Sequence, residues 1–134
     1  VEKITYEING QDFSTLDEFY GVISRVLVPG VEWGRNLDAF NDILRGDYGT
    51  PDGGFVLRWI NSELSQERLG YLETIRFLER RIKESDPDYD FIVAEIEMAR
   101  EGFGPTVFDW LVEIIRVHGP DGEESGDGVD LILA

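Results

Sequence analysis

Residues 3–8, KITYEI, alternate Ile4, Tyr6 and Ile8 with polar neighbours, which is the period-2 pattern of a half-buried strand. The turn NGQDF follows, and Ser14 or Thr15 stands where it can cap a helix over roughly residues 15–27. Leu16, Phe19, Tyr20, Ile23, Val26 and Leu27 recur there at helical spacing until Pro29 and Gly30 end the run. A second, shorter amphipathic helix is predicted over 36–45 and closed by Gly46. FVLRW, residues 55–59, is a short apolar run bounded by glycines and reads as a buried strand. Beyond Gly70, Leu72, Ile75, Leu78 and Ile82 fall on one helical face. After Pro87, Phe91, Ile92, Ile96 and Ala99 follow in similar order, so a helical hairpin turning at DPD is expected. VFDWLVEIIRV, residues 107–117, is another strong helix, HGPDGEESGDG a solvated loop, and VDLILA a last strand apolar enough for burial on both faces.

Strands separated by helical segments predict a small α/β domain with a parallel sheet. At 134 residues and 42% hydrophobic, the chain has the size and apolar content of one domain with a core of its own, and no internal repeat is visible. No run approaches a membrane span, and the charged start VEKITYEING lacks the features of a signal peptide. With no cysteine present, the expected location is the cytoplasm. Charge changes the picture more. Twenty-eight acidic against twelve basic residues give a formal net charge of −16, which repels nucleic acid and draws in cationic partners.

Candidate chemistry is sparse. The only histidine, His118, lies at the end of the last long helix, where the helix dipole favours a cation. No second histidine or G-x-S-x-G elbow supports a triad, and no phosphate-binding glycine loop is present. Zinc would lack its usual ligands, and DGEESGDGVD misses the spacing of a calcium loop. Neither an enzyme, a cofactor nor a metal is expected.

The helix over 36–45 is more informative. Asn36 can cap it, while Leu37, Phe40 and Leu44, with Ile43 beside them, point toward a core. Asp38, Asn41, Asp42 and Arg45 fall on the other side. Asp38 sits in the first turn, where the dipole welcomes negative charge; Asp42 sits in the last turn, where it does not. Like charges one turn apart cost about 0.2–0.5 kcal/mol. Asp42 thus breaks a local rule without a local return, which marks it as a candidate contact residue.

The stretch WGRNLDAFNDIL resembles the barstar family, intracellular inhibitors of secreted microbial ribonucleases. Trp33, Gly34, Asn36, Leu37, Asp38, Ala39 and Asp42 match its pattern, with Phe40 close to the family's leucine. The likeness extends in order and spacing over roughly residues 1–64 and 104–134. It implies a three-stranded parallel sheet flanked by helices, in a single domain over 1–134 with an inserted hairpin at about 65–103. It also implies a one-to-one complex with a guanyl-preferring ribonuclease, in which this helix and the loop before it plug the active site. Asp42 would then be the central anchor, Asp38 would meet a second cation, and Glu113 on the last helix would supply a third acidic contact. Trp33 and Arg45 border the same face. Asn41 and Glu32 stand where the prototype has tryptophan and tyrosine, which shifts recognition toward polar contact.

The inserted hairpin carries Arg68, Arg76, Arg80, Arg81 and Lys83, and Glu79 can pair with Lys83 one turn on. Two readings stay open for it, a packing element or a second contact surface. Two also stay open for the chain: a ribonuclease inhibitor, or a non-inhibitory module of the same fold that binds another basic protein.

Overall fold

The computed structural model describes residues 2–134, and its elements run β1 (Thr5–Asn9), α1 (Leu16–Val26), α2 (Leu37–Arg45), β2 (Val56–Ile60), α3 (Ser62–Arg68), α4 (Tyr71–Arg81), α5 (Tyr89–Arg100), α6 (Val107–Val117) and β3 (Asp130–Leu133). The sheet has three parallel strands in the order β1-β2-β3, with Thr5 opposite Val56 and Val56 opposite Asp130. Parallel neighbours need crossovers. The first is α1 and α2, and the second is α3 through α6. The result is an α/β fold of the barstar-like kind.

Helix starts follow the expected chemistry. The Thr15 hydroxyl accepts from the Glu18 N–H at 3.1 Å, and Thr106 with Asp109 forms a reciprocal capping box on α6. The core is aromatic at its centre: Trp59 on β2 packs among Phe13, Phe19 and Phe108, and its indole N–H donates to Ser65 Oγ at 2.9 Å. That hydrogen bond lets a fully buried Trp keep its polar atom satisfied.

Where β2 and β3 begin, two glycines face each other. Gly54 has φ +95°, and a Cβ there would overlap the Gly128 carbonyl oxygen. Any other residue meets both the left-handed backbone cost and that overlap. Gly54→Ala is expected to destabilise the fold by about 1–3 kcal/mol, read as a lower denaturant midpoint.

Three sequence expectations are corrected. VDLILA is not buried on both faces, because β3 is an edge strand with Ile132 and Leu133 exposed. Leu72 and Phe91 do not join the apolar faces of their helices; they are 86% and 69% exposed. The apolar contact between α4 and α5 is instead made by Ile75, Leu78, Ile82, Ile92 and Ile96, and it reaches the body through Phe77 stacked edge-on to Trp110. Glu79 pairs not with Lys83 but with Arg100 at 3.5 Å, because α4 ends at Arg81.

Polar ties also bind α3 and α4 to the rest. Arg68 donates to the carbonyls of Gly10, Gln11 and Phe13. Glu73, buried on α4, accepts from the Leu16 N–H at 2.6 Å. That carboxylate fills one of the donors left open at the start of α1, where the helix dipole also favours it.

Candidate functional site

Helix α2 is held from both ends and from beneath. Asn36 Oδ1 accepts from the Ala39 N–H at 2.8 Å, and Gly46 closes the C-terminus at φ +99°. Phe40, Ile43 and Leu44 are buried, Phe40 edge-on to Phe19 with ring centres 5.4 Å apart. The opposite face carries its polar groups on this rigid base.

Asp38 is exposed in the first turn. Asp42 is partly exposed, and its Oδ1 accepts from Arg45 Nη1 at 3.1 Å. Arg45 is chiefly engaged elsewhere: both Nε and Nη2 donate to Glu124 Oε1, at 3.1 and 2.9 Å. The hydrogen bond to Glu124 and that carboxylate's charge hold the Arg45 guanidinium more firmly protonated than usual, with a smaller push from Asp42. Asp42 Oδ2 has no hydrogen-bond donor among the described residues. The last-turn carboxylate therefore has its local return in Arg45, yet keeps an oxygen for a partner.

Asn41 faces inward. Its side-chain amide lies 2.6 Å from His118 Nε2, while His118 Nδ1 donates to Asp127 at 2.7 Å. His118 is fully buried at the C-cap of α6, so this relay ties α2 to α6 and to the 3-10 turn Ser125–Asp127. An amide offers both a donor and an acceptor, and so serves the imidazole in either form. Asn41→Ala leaves Nε2 without its partner and is expected to cost about 1–3 kcal/mol of stability, measured by equilibrium denaturation.

The other expected site residues lie outside α2. Glu32 is exposed in the loop before α2, without a hydrogen bond or ion pair among the described residues. Trp33 is 2% exposed; its indole donates to Ser24 Oγ at 2.7 Å and its ring meets Tyr20 edge-on, so it packs in the core and presents no ring surface. Glu113 is exposed on α6, with no bonded partner among the described residues. Sequence reading misses Glu124 and Asp127: the HGPDGEESGDG segment is not simply a solvated loop, since both carboxylates reach back from it to Arg45 and His118. The one available signal was the lone histidine bordering an acid-rich stretch.

His118, Glu124 and Asp127 place ligand atoms within 4.8 Å of one another, so they are the one cluster among the described residues with the donor types for a metal. Its charges already have partners: Asp127 takes the His118 N–H and Glu124 takes Arg45. The arrangement acts as a brace for α2. Together, α2 presents an anionic face on a rigid helix, suited to accept hydrogen bonds from guanidinium or imidazolium groups.

No curated protein matches the chain. No helix among the described residues is long and apolar enough to cross a membrane. The family model described as Barstar (barnase inhibitor) matches residues 4–108, which covers β1 through the start of α6 and includes α4 and α5. A match over that much of the chain, with the parallel three-stranded sheet and the acidic α2 it leads to, places the chain in the barstar family.

Proposed function

We propose that the protein is an intracellular inhibitor of a secreted, guanyl-preferring microbial ribonuclease, which it binds one to one. Asp38 and Asp42 would occupy the enzyme's phosphate-binding cleft in place of RNA. The observation that carries this reading is Asp42, partly exposed on a rigid helix, with Oδ2 unpaired among the described residues and Oδ1 held by Arg45. A carboxylate placed this way needs little reordering when arginines of a catalytic cleft close on it. The net charge of −16 supports the same reading, because it steers a cationic enzyme toward this surface and speeds encounter.

Within the proposed interface, Glu32, Asp38 and Asp42 carry the contacts from the loop and α2, with Glu113 as the outlying acidic contact. Arg45 is a positioning residue for Asp42. Trp33 and Asn41 serve from behind, one packed in the core and the other committed to His118. The contacts named are consequently all polar, which favours a target other than barnase itself. That same feature is what a non-inhibitory module binding another basic protein would use.

The experiment is a titration of RNA cleavage by a panel of secreted microbial ribonucleases, barnase included. Inhibition of at least one enzyme with a one-to-one end point is expected. No inhibition across the panel would favour the non-inhibitory module.

A further inference from the structure

Next to the acidic face lies a groove of about 510 Å³ between α1, the start of α2 and α4. Its floor is apolar, formed by Leu16, Tyr20, Leu37 and Phe77. Four of the chain's twelve basic residues line it: Arg35, Arg76, Arg80 and Arg81. Asp17, Asp38 and Glu73 line it too, so the positive charge it offers a ligand rests on those arginines that no carboxylate holds.

The pairing within it is uneven. Arg76 holds Glu73 at 3.3 Å, and Arg80 holds Asp17 at 3.3 Å. Arg35 and Arg81 make no ion pair or side-chain hydrogen bond among the described residues. Arg35 is also held at φ +48°, in the left-handed region that arginine seldom adopts. Burial pushes the Tyr20 phenol well above its usual pKa, with Asp17 adding to the effect, so this wall of the groove stays neutral.

We propose that this groove receives an acidic segment of the same protein partner that docks on α2. The inference rests on that reading of α2. Two observations select a protein segment over a nucleotide. The groove adjoins the α2 face, since Asp38 lies on that face and also lines the groove. A whole-chain charge of −16 opposes a long polyanion such as RNA along its length, whereas a short acidic segment meets chiefly the arginines of the groove, and a cationic protein carrying it is attracted as a body. Carboxylates of the segment meet Arg35 and Arg81, and an apolar side chain between them covers Leu37 and Phe77. The charge pattern across the two surfaces, acidic helix beside basic groove, then fixes the partner's orientation and excludes enzymes that lack the acidic loop.

The first arm of the test uses the full chain and a capped pentapeptide of alternating glutamate and phenylalanine. Arginine side-chain and backbone amide NMR signals are followed at physiological salt, which screens the overall repulsion of the peptide more than it weakens close pairs. The peptide is expected to shift Arg35, Arg81 and the amides of Leu37 and Asp38. Its glutamine counterpart is expected to leave them unmoved. Arg35→Asn with Arg81→Ala, chosen because asparagine tolerates the left-handed region, should abolish the shifts. No shift with the glutamate peptide, an equal shift with glutamine, or a shift produced only by guanosine monophosphate would overturn the proposal.

The second arm uses a ribonuclease that the chain inhibits. The double variant is expected to weaken inhibition about 2- to 30-fold, with a smaller salt dependence. Unchanged inhibition overturns the groove and leaves the reading of α2 intact. If no ribonuclease is inhibited, the reading of α2 falls and the peptide arm alone decides the groove.

Discussion

Asp42→Ala is expected to weaken ribonuclease inhibition by about 2–5 kcal/mol, the general range for truncating one member of a desolvated, hydrogen-bonded charge pair, to which the barnase–barstar complex itself has contributed. The loss arises mainly on the enzyme side, where arginines buried by the complex are left unpaired. It should appear largely as faster dissociation. Stability is expected to change little, because Asp42 is 39% exposed and its single contact with Arg45 is a surface pair, of a kind worth less than about 1 kcal/mol. Inhibition constants and melting temperatures of parent and variant, measured side by side, check both halves. A variant that inhibits as well as the parent would remove Asp42 as the anchor. One that unfolds would make it a structural residue.

Phe40→Ala should show the opposite pattern. Its ring is fully buried under α2 and meets Phe19 edge-on. Removing it empties a ring-sized space between α1 and α2, and buried Phe→Ala changes cost about 3–5 kcal/mol. Domains of this size are stable by only about 5–15 kcal/mol, so melting should fall by roughly 10–20 °C. Below the transition the folded molecules still carry Asp38 and Asp42 on a capped helix. Their inhibition is therefore expected to fall far less than in Asp42→Ala. Loss of inhibition without loss of stability would contradict the view that Phe40 serves only as the base of α2.

The two substitutions separate what α2 rests on from what it offers, and the sequence made both legible. The cap at Asn36, the closing Gly46 and the apolar positions 37, 40, 43 and 44 are local signals, and α2 runs Leu37–Arg45 as they require. Helix α1 and the parallel sheet were legible for the same reason. What escaped depends on long-range placement. Nothing in the period of VDLILA says that β3 ends the sheet instead of sitting inside it. Leu72 and Phe91 have helical spacing, yet α4 and α5 meet through neighbouring faces and leave both outside. Helix α3 is not legible in the sequence, because SELSQER has no apolar stripe of its own. It is anchored by Ser65 to Trp59 and by Arg68 to three carbonyls instead.

The candidate site shows the same division. That Asp38 and Asp42 share an outward face follows from helical spacing alone. That Arg45 is shared with Glu124, and that Asn41 is committed to His118, depends on a segment about eighty residues away folding back onto α2. Position 41 could be recognised as departing from the family's aromatic, but its bond to a buried histidine belongs to tertiary structure. The consequence is functional, because a residue expected at the interface braces α2 from behind.

The most direct measurement is a calorimetric titration of an inhibited ribonuclease with this protein, with and without saturating guanosine 3′-monophosphate in the enzyme's active site. If the α2 carboxylates take the place of RNA phosphate, the nucleotide competes and the apparent Kd rises in proportion to the free-nucleotide concentration. An apparent Kd that does not move with nucleotide would place the protein elsewhere on the enzyme and contradict active-site blockade by α2.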